Sequence, residues 1–344
     1  MNIVFCLDDN YSILLGVAIN SLLLNAKPAD KFHLYVLHNG LSENSINGIM
    51  QLKTIRGFEV DFITVDEQRY FSEFDVPGLW KNKVCYYRLR LPQIIADFES
   101  GRSGLAPSRL LFIDADIIVT GPIGEMYDTD LNGAVMGAVR SPRSGDGDDN
   151  EYIATLHLSP LHHYFYAGLM LIDTGLWLKE KIFEKCVEAN KSHAALKWAD
   201  MDILNLVFDG DAYRTLPAKY SVWPGLNIDP YVITNFDDFK KPYDGVYPDA
   251  VIKEAFSHPV IFQLAGGAKP WRRCALFGTV KLFYRYAKGT VWQDRARQYL
   301  KNARASRFVK IKKLLVRIML LPVLNKAKRQ RIYERLLALP KEEI

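Results

Sequence analysis

Short apolar segments alternate with longer amphipathic segments through most of the chain, and this alternation restricts it to few folds. Apolar segments typical of buried strands occupy residues 3–7, 32–37, 58–65, 109–113, 134–139, 168–172 and 260–264. Helical patterns lie between several of them, for example over residues 12–25 and 42–52. This order predicts an α/β fold whose mainly parallel sheet is covered by helices on both faces. Ligands of such sheets bind beyond the carboxyl ends of the strands.

Size and composition agree with this fold class. The chain has 344 residues, 49% of them hydrophobic, which is enough for one large α/β domain and an extension. No stretch approaches about 18 uninterrupted apolar residues, so no membrane-spanning helix is expected. The first residues do not resemble a secretion signal, and the four cysteines are far apart with no CxxC pattern. We therefore expect a cytoplasmic protein without a disulfide framework or a zinc site.

The clearest chemical motif is a pair of aspartates that follows an apolar strand. Residues 110–113 are Leu-Leu-Phe-Ile, and Asp114 and Asp116 come directly after them. Two carboxylates one residue apart at a strand end can bind one hard divalent cation, which would stabilise a departing diphosphate. A solvated strand-to-turn pair is the alternative without function. The phosphohydrolases of the haloacid-dehalogenase type have a similar motif, but on an early strand and usually followed by Gly-Thr or a similar pair.

Two further polar segments follow predicted strands. Asp8, Asn10 and Tyr11 come after the first strand, where polar groups can bind a nucleoside and an aromatic ring can stack on a base, or can simply form a turn and helix cap. Gly266 and Lys269 follow the last predicted strand. Glycine allows a phosphate to approach the backbone closely, and lysine supplies a compact positive charge.

Residues 140–163 contain a Gly- and Asp-rich stretch, and we predict a long mobile loop there that could act as a lid. The adjacent His162 and His163 are interpreted as surface residues of this loop.

The C-terminal segment differs in charge from the rest of the chain. Between Lys301 and Arg331 there are eleven Lys or Arg and no Asp or Glu, which leaves 33 of the 44 basic residues against 39 acidic residues elsewhere. Apolar residues from Phe308 to Met319 share one helical face opposite basic residues. We place a domain boundary near Gly278, with residues 1–278 as the α/β domain and residues 279–344 as a basic amphipathic helical extension. Such a helix suits an anionic membrane surface, or packs on the domain with a solvated basic face. Nucleic-acid binding is not expected, because few aromatic residues lie among the basic ones.

Six segments, taken in order, resemble those of the retaining glycosyltransferases of family 8, in particular bacterial lipopolysaccharide galactosyl- and glucosyltransferases. They are Ile3-Val-Phe-Cys-Leu-Asp-Asp-Asn-Tyr11, Tyr87-Arg-Leu-Arg-Leu-Pro92, Leu111-Phe-Ile-Asp-Ala-Asp116, Tyr166-Ala-Gly-Leu-Met-Leu-Ile172, Asp200-Met-Asp-Ile-Leu-Asn205 and Gly266-Gly-Ala-Lys-Pro-Trp271. The resemblance covers residues 1 to about 275. It implies a GT-A type nucleotide-binding domain, a UDP-sugar donor, bound Mn²⁺ (or Mg²⁺), and transfer with retention at the anomeric carbon.

The resemblance also implies roles for individual residues. Asp114, Asp116 and Gln263 would bind the metal, and the catalytic positions would be those of Asp200, Arg88 and Met201. The residues implied for nucleotide and donor binding are Asp8, Asn10, Tyr11, Arg88, Asp114, Tyr166, Asp200, Gly266 and Lys269.

Three of these positions depart from the family pattern. Gln263 stands where the family usually has a metal-binding histidine, and an amide oxygen donates more weakly than imidazole. Tyr166 replaces the usual asparagine, so the sugar or acceptor pocket must differ. Met201 replaces a glutamine of many members and offers no polar group beside the anomeric carbon.

The implied function is transfer of galactose or glucose from a UDP-sugar to a lipopolysaccharide or another cell-surface glycan. The enzyme would work on the cytoplasmic face of the inner membrane as a peripheral protein bound through its basic helices. The alternatives are a sugar-nucleotide-binding pseudoenzyme, suggested by the three departures, and a metal-dependent phosphohydrolase.

Overall fold

The structure is a computed structural model. This structure describes residues 1–304 except residues 75–81, 103, 143–146, 194–195, 211, 224–235, 265–268, 273–274 and 276. The predicted basic helices from residue 305 onward therefore lie outside the described residues, as does Gly266.

All strands except the short β5 and β8 lie close to the predicted apolar segments. They are β1 Asn2–Leu7, β2 His33–His38, β3 Glu59–Thr64, β4 Arg109–Ile113, β5 Ile117–Val119, β6 Met136–Arg140, β7 Phe165–Asp173, β8 Arg214–Leu216 and β9 Ile261–Gln263. The helices are α1 Ser12–Asn25, α2 Glu43–Gln51, α3 Glu67–Phe71, α4 Leu91–Ser100, α5 Gly124–Tyr127, α6 Gly147–Ala154, α7 Thr174–Lys179, α8 Ile182–Ser192, α9 Asp200–Val207, α10 Phe236–Lys240, α11 Asp249–Ser257 and α12 Phe277–Ala287.

Seven strands form the main sheet in the order β3-β2-β1-β4-β7-β6-β8. Strand β7 runs antiparallel to both of its neighbours, and the other pairs are parallel. The predicted mainly parallel α/β fold is therefore confirmed. The prediction for residues 260–264 is correct as a strand, but β9 pairs with β5 in a separate two-stranded sheet.

Both faces of the main sheet are buried, as the uninterrupted apolar strands predict. In β1, Ile3 and Phe5 belong to one hydrophobic core and Val4 to the other. Strand β4 alternates in the same way, because Leu111 faces the first core and Phe112 faces the second. Side chains of successive strand residues point to opposite faces, so one central strand contributes to both cores.

Many of the described residues after Gly278 pack on the first core. The indole ring of Trp292 lies against Gly16 of α1 so closely that a Cβ at residue 16 would come within 2.0 Å of the ring. The amide of Asn20 also donates to the backbone oxygen of Tyr286 at 2.6 Å. Among the described residues, no helix is both long and apolar enough to cross a membrane. The division of the chain at residue 278 stays a prediction.

Part of the segment predicted as a long mobile loop is ordered. Residues Gly147–Ala154 form α6, and the hydroxyl of Tyr152 donates to Asp202 at 2.6 Å. The prediction of surface histidines is wrong for His162, whose side chain is 1% exposed and whose Nε2 lies 2.9 Å from Oδ1 of Asn205. The Gly- and Asp-rich composition obscured both features, because the contacts that bury this segment come from distant residues.

Candidate active site

A cavity of about 680 Å³ opens beyond the carboxyl ends of β1 and β4, where ligands of α/β sheets bind. Its volume lies within the range of small-molecule sites, which is about 300–1,000 Å³. The predicted site residues that line it are Asp8, Tyr11, Arg88, Asp114, Asp116, Tyr166, Asp200, Met201 and Lys269. Segments far apart in sequence therefore meet in one cavity.

Arg88 connects two carboxylates at the centre of this cavity. It lies in a 3-10 helix over Lys83–Arg90, and its side chain is 12% exposed. The guanidinium contacts Oδ1 of Asp114 at 2.8 Å and Oδ2 of Asp200 at 3.0 Å. Burial alone would lower the pKa of Arg88, but the two carboxylates outweigh burial and raise it. The guanidinium is therefore a fixed positive charge.

The two oxygens of Asp114 have different partners. Oδ1 accepts from Arg88, and Oδ2 accepts from the hydroxyl of Tyr166 at 2.9 Å. Gly168 makes this arrangement possible, because a Cβ there would lie 2.3 Å from Oδ2 of Asp114 and 2.3 Å from the ring of Tyr166. The backbone N–H of Asp114 also donates to the oxygen of Gly168 at 2.8 Å. Tyr166 thus orients one carboxylate of the Asp-x-Asp pair.

Asp116 forms the second charged pair of the cavity. Its Oδ2 lies 3.0 Å from Nζ of Lys269, which also donates to the hydroxyl of Tyr11 at 3.0 Å. Burial raises the pKa of Asp116, and the Lys269 ammonium partly opposes that rise. Burial tends to lower the pKa of Lys269, but Asp116 outweighs it, so the net shift is upward. The rings of Tyr11 and Trp271 both lie within 6 Å of the ammonium.

Gln263 lies beside Asp116 but does not line the cavity. Strand β9 pairs Gln263 with Ile117, and the N–H of Leu264 donates to the oxygen of Asp116 at 2.7 Å. The side chain of Gln263 is buried, and neither Oε1 nor Nε2 has a hydrogen-bond partner among the described residues. Buried amides without partners are rare because they cost free energy. The amide oxygen of Gln263 is therefore free to accept a ligand among the described residues.

Of the predicted site residues that follow β1, Asp8 and Tyr11 line the cavity and Asn10 does not. Asp8 caps the short helix Asp9–Tyr11 by accepting from the N–H of Asn10 at 3.0 Å, and its other oxygen accepts from the amide of Asn82 at 2.7 Å. Tyr11 faces the cavity, with its ring edge-on to Trp271 at a centroid distance of 5.8 Å. Asn10 is exposed and is not among the described residues that line the cavity.

Asp200 begins helix α9 next to a strained residue. Ala199 has φ +51° and ψ −119°, a conformation that costs a non-glycine residue about 1–3 kcal/mol. Burial raises the pKa of Asp200 to about 6, although Arg88 opposes the rise. The half-buried Met201 follows it and lines the cavity. Strain of this kind is concentrated at functional sites.

Several residues of the site were not predicted from the sequence. Cys6, Asn82, Cys85 and Trp198 line the cavity, and Asp202 lies fully buried behind it. Burial raises the pKa of the Cys6 and Cys85 thiols, so neither is a reactive thiolate. Cys6 and Asp202 each lie within a segment that carried the resemblance, but their burial depends on residues distant in sequence.

Comparisons with known proteins identify the family of the chain. The sequence model of the family described as Glycosyl transferase family 8 matches residues 2–275. General stress protein A of Bacillus subtilis is 27% identical over 85% of this chain and 94% of its own length. A lipopolysaccharide 1,2-glucosyltransferase of Escherichia coli K12 is 23% identical over 86% of this chain and 79% of its own length. A lipopolysaccharide 1,3-galactosyltransferase of Salmonella typhimurium is 24% identical over 85% of this chain and 79% of its own length.

A solved structure is similar over the same region. An active-site mutant of LgtC superimposes with a TM-score of 0.65 and 25% identity, over 85% of this chain and 96% of that one. These comparisons favour neither a phosphohydrolase nor a pseudoenzyme.

Proposed function

Since the chain belongs to glycosyltransferase family 8 and is related to lipopolysaccharide glucosyl- and galactosyltransferases, we propose that it transfers a hexose from a UDP-sugar with retention at the anomeric carbon. The hexose is galactose or glucose, and the acceptor is a lipopolysaccharide or another cell-surface glycan. The observation that carries this proposal is the convergence of the Arg88–Asp114–Asp200 contacts and the Asp116–Lys269 pair in one cavity.

The donor would lie across the cavity from the Tyr11 side to the Asp200 side. Tyr11 offers an aromatic ring to the uracil, with Asp8 as a hydrogen-bond acceptor nearby. The proposed binding set also includes Asn10, from the neighbouring exposed turn, and Gly266, from the Gly-rich segment before Lys269. Arg88 and Asp114 would face the ribose, the phosphates and the sugar. Asp200 accepts hydrogen bonds and would hold hydroxyls of the transferred sugar.

The residues present fit a divalent cation, which is Mn²⁺ in this proposal, with Mg²⁺ as the other candidate. Among the described residues, the buried Gln263 has an amide oxygen without a partner, its backbone is paired with the residue that follows Asp116, and hard cations take such oxygen ligands. Asp114, Asp116 and Gln263 would hold the ion. Each carboxylate oxygen of Asp114 already accepts one hydrogen bond but has a second lone pair. When bound, the cation would neutralise charge on the diphosphate.

The side chains of the cavity supply the remaining catalysis. Departure of UDP leaves positive charge on the sugar ring and negative charge on the diphosphate. The Lys269 ammonium, held by Asp116 and Tyr11, is a preorganised charge for the diphosphate. The acceptor hydroxyl attacks from the face that UDP leaves, and its proton passes to the departing phosphate. Met201 offers the opposite face a thioether and no charge, so the transfer proceeds without a nucleophile at that position.

The acceptor and the location of the protein form one further proposal. The basic residues between Lys301 and Arg331 suit an anionic membrane surface, where a lipid-anchored acceptor would be found. The protein would then be peripheral on the cytoplasmic face of the inner membrane. In this arrangement residues 1–278 carry the catalytic domain and residues 279–344 the membrane-associated extension.

Calorimetric titration of UDP, once with Mn²⁺ and once with EDTA, tests the donor site. We expect binding with Mn²⁺ that weakens at least about tenfold in EDTA, which corresponds to 1.4 kcal/mol. Lys269→Met should weaken UDP binding strongly, whereas Lys241→Met, at an exposed ion pair far from the cavity, should not change it. Absence of UDP binding under both conditions would contradict the proposed donor site. An affinity for UDP that is the same with Mn²⁺ and with EDTA would contradict the proposed role of the metal.

A donor screen then tests the reaction. Purified protein is incubated with UDP-glucose and UDP-galactose in the presence of truncated lipopolysaccharide acceptors, and release of UDP is measured. NMR of the product should show the anomeric configuration of the donor. Inversion of that configuration would contradict retention, and UDP binding without turnover of either donor would support the pseudoenzyme.

A further inference from the structure

The second aspartate of the Asp200-Met-Asp202 segment is fully buried and has three hydrogen-bond donors. Its Oδ1 accepts from the hydroxyl of Tyr164. Its Oδ2 accepts from the hydroxyl of Tyr152 at 2.6 Å and from the backbone N–H of Trp198 at 2.7 Å. We propose that Asp202 is a positioning residue that fixes the carboxylate of Asp200 against Arg88, and that Tyr152 and Tyr164 hold Asp202 for this purpose. The proposal rests on the proposed function of Asp200 in sugar binding.

Burial excludes a direct role for Asp202. It is 0% exposed and does not line the cavity, whereas Asp200 lines the cavity and contacts Arg88 at 3.0 Å. Three donors saturate most of the acceptor capacity of Asp202, and no ion pair holds it within the described residues. A carboxylate held in this way acts through the backbone around it.

The backbone around Asp202 is the strained turn that starts helix α9. The Asp202 carboxylate accepts from the N–H of Trp198, one residue before the positive-φ Ala199. The N–H of Met201 then donates to the oxygen of Trp198 at 3.0 Å. A strained conformation persists only when its surroundings hold it in place. The hydrogen bond from Trp198 to Asp202 spans this turn, and Asp200 lies between these two residues in the chain.

The two tyrosines connect this turn to helix α6 and to the start of strand β7. The hydroxyl of Tyr152, from α6, also accepts from the N–H of Lys197 at 2.7 Å, so it joins both ends of the turn. Tyr164 precedes β7 by one residue, and Tyr166, two residues further along, contacts Asp114. Residues two apart in an extended chain point to the same side. One stretch of chain therefore orients Asp114 through Tyr166 and Asp200 through Tyr164 and Asp202.

Tyrosine-to-phenylalanine variants test this role without leaving a large cavity. Tyr152→Phe and Tyr164→Phe each remove one donor, and Tyr35→Phe is the matched control. The Tyr35 hydroxyl donates to the buried carboxylate of Glu99 at 2.7 Å, at a site that does not line the cavity. Asp202→Asn is a fourth variant, which turns one acceptor atom into a donor that faces other donors. All variants are made in the full chain.

Two readouts separate positioning from stability. The first is kcat for UDP release from the donor identified in the screen, together with the affinity for UDP. Because misplacement by about 1 Å costs about a hundredfold in rate, we expect kcat to fall about tenfold for each tyrosine variant and about a hundredfold for both together. The affinity for UDP should stay within about twofold, because the nucleotide lies on the Tyr11 side of the cavity. Tyr35→Phe should retain kcat.

The second readout is hydrogen–deuterium exchange of residues 196–204, which requires no turnover. We expect faster exchange there in Tyr152→Phe and Tyr164→Phe than in the wild type and in Tyr35→Phe. Unchanged exchange would overturn the positioning role, whatever the activity. Faster exchange with unchanged kcat would also overturn it. If the wild-type protein neither binds UDP nor turns over a donor, the proposed function fails, and the exchange result still decides whether Asp202 fixes the turn.

Discussion

Removing the hydroxyl of Tyr166 should make the proposed metal site bind Mn²⁺ more tightly. In Tyr166→Phe the ring remains in place, with its edge contact to Trp223 at a centroid distance of 5.0 Å. The variant loses only the 2.9 Å hydrogen bond to Oδ2 of Asp114. That oxygen belongs to a proposed metal ligand, so the hydroxyl occupies one of its two lone pairs and weakens its donation to the ion.

The magnitude follows from the kind of bond that is lost. A hydrogen bond to a charged group contributes about 1.5–3 kcal/mol, so the free energy of unfolding without metal should fall by about that amount. In the metal-bound state the wild-type hydroxyl must share or give up the Asp114 oxygen. Since about 1.4 kcal/mol corresponds to a tenfold change in affinity, we expect Tyr166→Phe to bind Mn²⁺ about tenfold more tightly when UDP is saturating.

The assay is calorimetric titration of Mn²⁺ into the UDP-bound protein, with thermal unfolding of the metal-free protein beside it. Tyr70→Phe is the matched control, because the Tyr70 hydroxyl donates at the same distance of 2.9 Å to Asp97, far from the cavity. Both variants should unfold at lower temperature than the wild type, but only Tyr166→Phe should bind Mn²⁺ more tightly. Unchanged or weaker binding in Tyr166→Phe would refute this effect of the hydroxyl.

Four further substitutions or truncations have defined outcomes. Gly168→Ala should abolish UDP binding in calorimetry and lower the thermal midpoint, because its Cβ would lie 2.3 Å from Oδ2 of Asp114. With the pKa of Asp200 raised to about 6, kcat should fall as the pH drops below about 6, because the protonated carboxyl no longer forms an ion pair with the Arg88 guanidinium. The same shift means that the folded state binds the proton more tightly than the unfolded state. The wild type should therefore lose stability relative to Asp200→Asn as the pH rises from about 4 to 6, measured by urea unfolding. Trp292→Ala should cost about 3–5 kcal/mol in urea unfolding, because the indole is buried in the first core. Truncation after Arg304 should preserve the fold and release the protein from anionic vesicles in a sedimentation assay, and binding that survives would contradict the role of the basic segment.

The main strands were predictable because burial on both faces makes them continuously apolar. Strand β4 has the predicted bounds, and helix α1 agrees residue for residue with residues 12–25. The three-residue strands β5 and β8 were missed, because so short a segment has no periodicity to detect. The pairing of β9 with β5 in a second sheet depends on tertiary structure, so it could not be predicted from the apolar composition of residues 260–264.

The chemistry of the cavity was predictable where it rests on residue type at a strand end, as with Asp114 and Asp116. It was not predictable where it rests on geometry. Asp202 follows Asp200 by two residues, and no local sequence pattern shows that Asp202 is buried while Asp200 lines the cavity. This difference depends on hydrogen bonds to Asp202 from tyrosines that lie 50 and 38 residues away in sequence. The same holds for α6, whose polar composition resembles a loop until its contact with Asp202 is known.

The charges of the cavity bear on the three unusual positions together. Four carboxylates and three cationic side chains line its described part, and they belong to Asp8, Asp114, Asp116, Asp200, Arg88, Lys269 and Arg272. A diphosphate adds negative charge to this negative excess, and like charges repel. The uncharged Gln263, Tyr166 and Met201 add no positive charge to oppose it. A divalent cation held by Asp114 and Asp116, as proposed, would offset this excess of negative charge. This charge balance supports the proposed metal-dependent donor site, even with an amide in place of imidazole at position 263.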